Sequence, residues 1–142
     1  MARRRAAYVE EHGLVFIVQP GASAEEGLLG YAYLCPFRSR PAYNHVAEVS
    51  VYLRADAQGR GLGTVLMREV LARGAALGVA QVFSVLGTAE TNAASVRLHE
   101  KCGFETVGVL KRVGRKHGRV LDRLLMQVDL ETHAAFRGDI QR

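Results

Sequence analysis

Residues Ala47 to Leu66 read AEVSVYLRADAQGRGLGTVL, and their reading decides the fold. Ala47, Val49, Val51 and Leu53 alternate with Glu48, Ser50 and Tyr52. Successive side chains of a strand point to opposite faces. The segment is therefore a strand with one apolar face and one face carrying a carboxylate, a hydroxyl and a phenol. Gln58-Gly59-Arg60-Gly61-Leu62-Gly63 follows, and an apolar run at helical spacing begins at Thr64. Glycines let backbone N–H groups approach a bound group closely, and a helix N-terminus favours anions. The stretch reads as strand, anion-binding loop and helix; a plain tight turn into a helix would use the same glycines. Neither the Lys-Ser/Thr of a P-loop nor a G-x-G-x-x-G spacing is present.

Outward from this stretch the pattern is mixed α/β. Leu66, Val70, Gly74 and Leu77 recur at helical spacing from Thr64 to Gly78, with Arg68, Glu69 and Arg73 on the other side. Val79 to Leu86 reads as a strand apolar on both faces, so that strand, helix and strand form a parallel crossover unit. Upstream, Leu14 to Gln19 and Leu28 to Leu34 flank Pro20-Gly21 and predict a hairpin, preceded by a helical end over Arg3 to His12. Cys35 to His45, CPFRSRPAYNH, reads either as a solvated connection or, through its arginine forks, as a binding loop for carboxylates and phosphinates. Downstream, Asn92 stands as an N-cap before a helix over Ala93 to Lys101. A strand from Phe104 to Lys111, a basic turn from Arg112 to Arg119 and a strand from Val120 to Leu130 follow. Glu131 to Arg142 reads as a polar tail, frayed or disordered. No repeat or linker divides residues 1–142, which predicts a single domain.

The chain has 142 residues, enough for one real core, and a net charge of +5. That balance suits an anionic partner such as a phosphorylated cofactor. Aromatics are not interleaved with arginines, so nucleic acid is not expected, and no apolar run is long enough for a membrane span. Cys35 and Cys102 are the two cysteines. They read as reduced thiols of a cytoplasmic protein, and no zinc-ligand spacing or other metal cluster is expected.

Five segments together carry a family resemblance. Gln58 to Gly63 has the Q-x-x-G-x-G spacing of the acetyl-CoA pyrophosphate loop of GNAT acyltransferases. Pro36-Phe37-Arg38-Ser39-Arg40-Pro41-Ala42-Tyr43, Ala47 to Leu53, Thr91 to Phe104 and Val113 to Asp122 follow the pattern of one branch, in order and spacing. From about Leu14 to Leu130 the chain resembles the phosphinothricin and methionine sulfone/sulfoximine N-acetyltransferases of the GNAT superfamily. The branch begins with a strand and two helices that have no counterpart before Arg3 here, and Arg115 and Val120 replace aromatic positions of its turn.

The resemblance implies an α/β (α+β) GNAT fold, a mixed sheet with flanking helices and a splayed central strand pair. It implies acetyl transfer from acetyl-CoA, without a metal, to the amine of a small amino acid. An amine of pKa about 9 is mostly protonated at neutral pH, so a base is needed. Glu48 takes that role by motif, and His99 stands where relatives place the acid that protonates the leaving thiolate; a helix-packing histidine is its other reading. The cofactor-binding residues implied are Val51, Tyr52, Leu53, Gln58, Gly59, Arg60, Gly61, Leu62, Gly63, Thr64, Asn92 and Ser95. Arg38, Arg40, Tyr43 and His117 would bind the substrate. A cytoplasmic homodimer conferring resistance is the further expectation. The alternatives are a catalytically weak acyl-CoA-binding module, or acetylation of a protein N-terminus or a polyamine.

Overall fold

The structure is a computed structural model that describes residues 16–38, 40–133, 135 and 136. The predicted helical end over Arg3 to His12 lies outside them. Among the described residues six strands and two α-helices follow in the order β1 Phe16–Pro20, β2 Leu28–Pro36, β3 Val46–Leu53, α1 Leu62–Ala76, β4 Gln81–Gly87, α2 Ala89–Lys101, β5 Glu105–Lys116 and β6 Arg119–Asp129. They form one mixed sheet in the order β1-β2-β3-β4-β6-β5, with β3 and β4 the parallel pair joined by α1.

Register sorts the side chains into two faces. Ala32 and Leu34 of β2, Ala47 and Val49 of β3, Val82 and Leu86 of β4, and Met126 and Val128 of β6 share one face. That face is buried under Leu66, Met67, Val70 and Leu71 of α1 and Val96 of α2. Gly74 explains how α1 comes so close. A Cβ there would sit 2.5 Å from Leu34 Cδ1, so only hydrogen fits between helix and strand. Half-buried Val51 and Leu53 pack against the same core, as the alternation in β3 predicts.

The opposite face carries Tyr31, Tyr33, Cys35, Glu48, Ser50, Tyr52 and Phe83, and both described helices leave it open. Here the expectation for the strand after Gly78 is corrected. β4 alternates rather than being buried on both faces: Val82 and Ser84 are buried, Phe83 is half-buried and Val85 is 43% exposed. The helices that bury one face have no described counterpart on the other. The hairpin of Arg112 to Arg119 is also more ordered than a basic turn. β5 and β6 pair out to Lys116 and Arg119, and only His117-Gly118 turns, both at positive φ (51° and 73°). Two consecutive positive φ values match the right-handed twist of a two-residue hairpin. The start of the polar tail is likewise not frayed. His133 N–H donates to the Asp129 carbonyl (3.1 Å), Phe136 N–H to the His133 carbonyl (3.0 Å), and Phe136 is buried in the core.

Candidate active site

β3 and β4 pair over only three positions, Val46 with Gln81, Ala47 with Val82 and Glu48 with Phe83. Beyond Glu48 both strands continue, to Leu53 and Gly87, but no longer together. This is the expected splay. It leaves one edge of β3 without strand partners in the middle of a sheet, where backbone N–H and C=O groups need hydrogen bonds. Glu48 stands at the fork, half-buried, between Cys35 of β2 and Phe83 of β4.

At the far end of β3 lies the glycine loop. Gly59 and Gly61 have φ of 81° and 77°, left-handed values that cost an L side chain roughly 1–2 kcal/mol. A Cβ on either would meet nothing within 4 Å, so the loop backbone faces open space. Gly61 caps α1 without a side-chain hydrogen bond, and the first helical bond is Val65 N–H to the Gly61 carbonyl (3.3 Å). The N–H groups of Leu62, Gly63 and Thr64 therefore have no intrahelical acceptor. Nearby acids are neutralised. Arg54 Nε donates to Asp56 Oδ1 (2.7 Å), a bond that holds the Asp56 carboxyl below its usual pKa. Arg60 pairs with Glu26 (3.5 Å) and donates to the Asp56 carbonyl, leaning toward the β1–β2 loop. The result is a backbone-lined cradle whose N–H groups suit an anion.

α2 borders the same opening. Asn92 is non-helical (φ −150°, ψ 52°) within it, so the regular helix starts at Ala93 as the sequence indicates. The residue that caps α2 is Thr88, which makes no side-chain capping hydrogen bond. Leu98 packs on the cradle, 3.2 Å from where a Gly63 Cβ would be. A groove of about 650 Å³ lies beyond α2, lined by Thr91, Val96, Val109, Val120 and Leu124, and includes neither Glu48 nor the glycines.

His99 is placed differently from a thiolate acid. It is 5% exposed on the helix-covered face, with the sheet between it and Glu48. Its Nδ1 is 2.7 Å from the Ser95 carbonyl and its Nε2 2.7 Å from Ser84 Oγ. A carbonyl only accepts, so Nδ1 carries the proton and Nε2 accepts from the Ser84 hydroxyl. Burial lowers the His99 pKa against the opposing Ser95 bond, which keeps the ring neutral at pH 7.

The arginine loop lies beside Glu48. Phe37 stacks on Phe83 (5.0 Å between centroids), Tyr43 meets Phe37 edge-on (6.1 Å) and the Arg38 guanidinium lies 5.2 Å over the Phe37 ring. Arg40, also exposed, precedes the short turn Pro41–Tyr43. Tyr52, 53% exposed, stacks on Tyr31 at 5.2 Å. His117 sits apart at the hairpin tip, with no hydrogen bond or ring contact to this group among the described residues. Phe37 and Phe83 line the open face beside Glu48, while Ser84 lies on the covered face bonded to His99; the motif reading gives none of the three a role. A serine inside an otherwise apolar strand was the available signal for Ser84.

The sequence profile described as the Acetyltransferase (GNAT) family matches residues 1–104, so the chain belongs to that family. It is 42% identical over 125 residues to a phosphinothricin N-acetyltransferase of Alcaligenes faecalis, covering 88% of this chain and 61% of that protein. It is 36% identical to an L-methionine sulfoximine/L-methionine sulfone acetyltransferase of Pseudomonas paraeruginosa, covering 84% and 67%. Among solved structures, a GNAT superfamily phosphinothricin acetyltransferase from Sinorhizobium meliloti in complex with AcCoA superposes with a TM-score of 0.80. The two are 37% identical, over 91% of this chain and 67% of that one. The chain thus spans about three fifths of the length of the Alcaligenes relative.

Proposed function

We propose that this chain transfers the acetyl group of acetyl-CoA to the amine of a small amino acid such as phosphinothricin or methionine sulfone/sulfoximine. The observation that carries the reading is the parting of β3 from β4 just past Glu48, with an anion cradle at the end of the parted strand. The opening suits a linear arm running from a pyrophosphate to an acyl group. When bound, acetyl-CoA supplies the activated acyl carbon. Gln58, Gly59, Arg60, Gly61, Leu62, Gly63 and Thr64 surround its pyrophosphate. Val51, Tyr52 and Leu53 offer strand backbone along the arm, while Asn92 and Ser95 border it from α2. An N–H of the parted strand near Val51 stabilises the developing negative charge of the acyl oxygen.

Glu48 removes the ammonium proton, directly or through one water, so that the amine lone pair can attack. Arg38 and Arg40 hold the acceptor's anionic groups as guanidinium forks, against a floor formed by Phe37, Phe83 and Tyr43. His117 lies close only if the hairpin tip bends over the acceptor. His99 is assigned to packing, because its one ring proton is held by the Ser95 carbonyl. A thiolate of pKa about 8.5 leaves without much help.

The enzyme works in this reading as a cytoplasmic homodimer that needs neither metal, nucleic acid nor membrane, and acetylation of phosphinothricin would give resistance. No described helix is long and apolar enough to cross a membrane. A second reading is an acyl-CoA-binding module of little activity. Thiol release from acetyl-CoA over a panel of amino acids, polyamines and N-terminal peptides separates these. Turnover of phosphinothricin or methionine sulfone supports the enzyme, acetyl-CoA binding with no turnover selects the module, and preference for another amine overturns the acceptor assignment. Sedimentation of the full chain tests the dimer.

A further inference from the structure

Among the described residues, Ser84 and His99 are the two buried polar side chains, 4% and 5% exposed. They join β4 to α2 through a 2.7 Å hydrogen bond, and His99 passes the connection to the Ser95 carbonyl one turn earlier. It is the one side-chain hydrogen bond between these elements among those described. The other fastening of this part of α2 is apolar, with His99 edge-on to Phe104 at 4.9 Å and Leu98 over Gly63. Apolar contacts tolerate sliding, whereas a short hydrogen bond fixes both distance and direction. Two parts of the cleft depend on where α2 stands. Leu98 backs the cradle at Gly63, and Asn92 lies against Gly87, 3.0 Å from where a Cβ of that glycine would be.

We propose that Ser84 is a positioning residue for acetyl-CoA: by bonding His99 it fixes α2 so that Leu98 supports the cradle and Asn92 and Ser95 face the arm. This rests on the acetyl-CoA reading above. The link moves no proton in the reaction, and Ser84 touches no substrate. The matched pair Ser84→Thr and Ser84→Val differs by one hydroxyl at equal shape. Val128→Ala, in the core on β6, serves as a control that lowers stability without touching the link. Calorimetric acetyl-CoA binding, melting temperature and steady-state kinetics are measured on the full chain. Ser84→Val should weaken acetyl-CoA binding and raise its KM by roughly tenfold, equivalent to about 1.4 kcal/mol. The acceptor KM and the pH profile of kcat should hold, and Ser84→Thr should restore acetyl-CoA binding. Val128→Ala should lower the melting temperature with unchanged acetyl-CoA affinity. If Ser84→Val does not fold, Ser84→Ala and His99→Gln make the same comparison. Equal acetyl-CoA affinity in wild type and Ser84→Val, at a reduced melting temperature, makes the link structural only and overturns the proposal. A loss of kcat with a shifted pH profile and unchanged KM makes it a proton relay and also overturns it. A wild-type chain that does not bind acetyl-CoA refutes the site reading itself, and the proposal falls with it.

Discussion

Replacing Gly61 by Ala tests the cradle against a control within the same helix. Gly61 has φ 77° and begins α1, while Gly78 has φ 92° just past its other end. At both, a Cβ would meet nothing within 4 Å. The two substitutions therefore carry the same cost, about 1–2 kcal/mol for an L residue held in the left-handed region. For a chain of this size, that is a loss of a few degrees, ~2–4 °C per kcal/mol. The difference lies in what the open space is for. At Gly61 the methyl enters the space assigned to a pyrophosphate and moves N–H groups away from it. Hydrogen bonds to a charged group contribute about 1.5–3 kcal/mol each, so losing one weakens binding by at least roughly tenfold. Acetyl-CoA at a hundred times its Kd should stabilise the wild type by about 2.7 kcal/mol through linkage. The melting shift on adding acetyl-CoA should be full in wild type and Gly78→Ala and cut to about half or less in Gly61→Ala, since tenfold weaker binding leaves about 1.4 kcal/mol of linkage. An equal shift in both variants would refute the cradle.

Three further outcomes are expected. Glu48→Gln keeps the shape of the strand and deletes proton acceptance, so kcat should fall by about 10²–10⁴ with acetyl-CoA binding nearly intact; turnover within a few-fold of wild type would put the base elsewhere. Arg38→Ala and Arg40→Ala should raise KM for phosphinothricin and methionine sulfone by a factor matching about 2 kcal/mol per charged bond lost, with the acetyl-CoA KM unmoved; an unchanged acceptor KM reduces the loop to a connection. The lowered His99 pKa sets a pH dependence of stability. Between its folded pKa and the ordinary value of about 6.5 the unfolded chain binds the extra proton, so stability falls as pH drops through that window and is complete above it. The melting-temperature gap between wild type and His99→Gln should be constant above about pH 6.5 and narrow as pH falls below it, and a gap that holds through the window would contradict a neutral buried ring.

The β3 strand, the glycine loop and the start of the regular part of α2 after Asn92 were legible because each is written in neighbouring residues. Alternation from Ala47 to Leu53, glycines at 59 and 61, and Asn92 before a periodic run are local facts, and local backbone preferences enforce them. What was not legible depends on residues far apart in sequence. The apolar run of β4 does not say whether one or two layers cover it, so Val85 was expected inside and lies outside. Phe136 looked like part of a polar tail because one aromatic among charged residues carries no period, yet it closes the core. The placement of His99 required knowing that Ser84 lies across from it, fifteen residues away in the chain.

The parting of β3 and β4 gives these separate features one physical cause. A sheet interior normally satisfies its backbone by continuous pairing, and an unpaired inner edge is costly. Here pairing ends at Glu48 and Phe83 although both strands run on. On the proposed reading the missing partner is a ligand with its own amides, the arm of acetyl-CoA, which lies in the gap much as a strand would. That arrangement makes the catalytic geometry follow from sheet geometry. An arm held by strand hydrogen bonds has a fixed register, the cradle at Gly59 to Gly63 fixes its distal end, and the distance between cradle and fork then sets where the acyl carbon stops. Glu48 is the last paired residue before the strands part, on the open face of the sheet, so on this reading the amine would approach from the side that the helices leave free. A base further along β3, at Ser50 or Tyr52, would lie beside the arm rather than at its end. On the same reading, position 48 stands out because pairing stops there, as well as by its place in the motif.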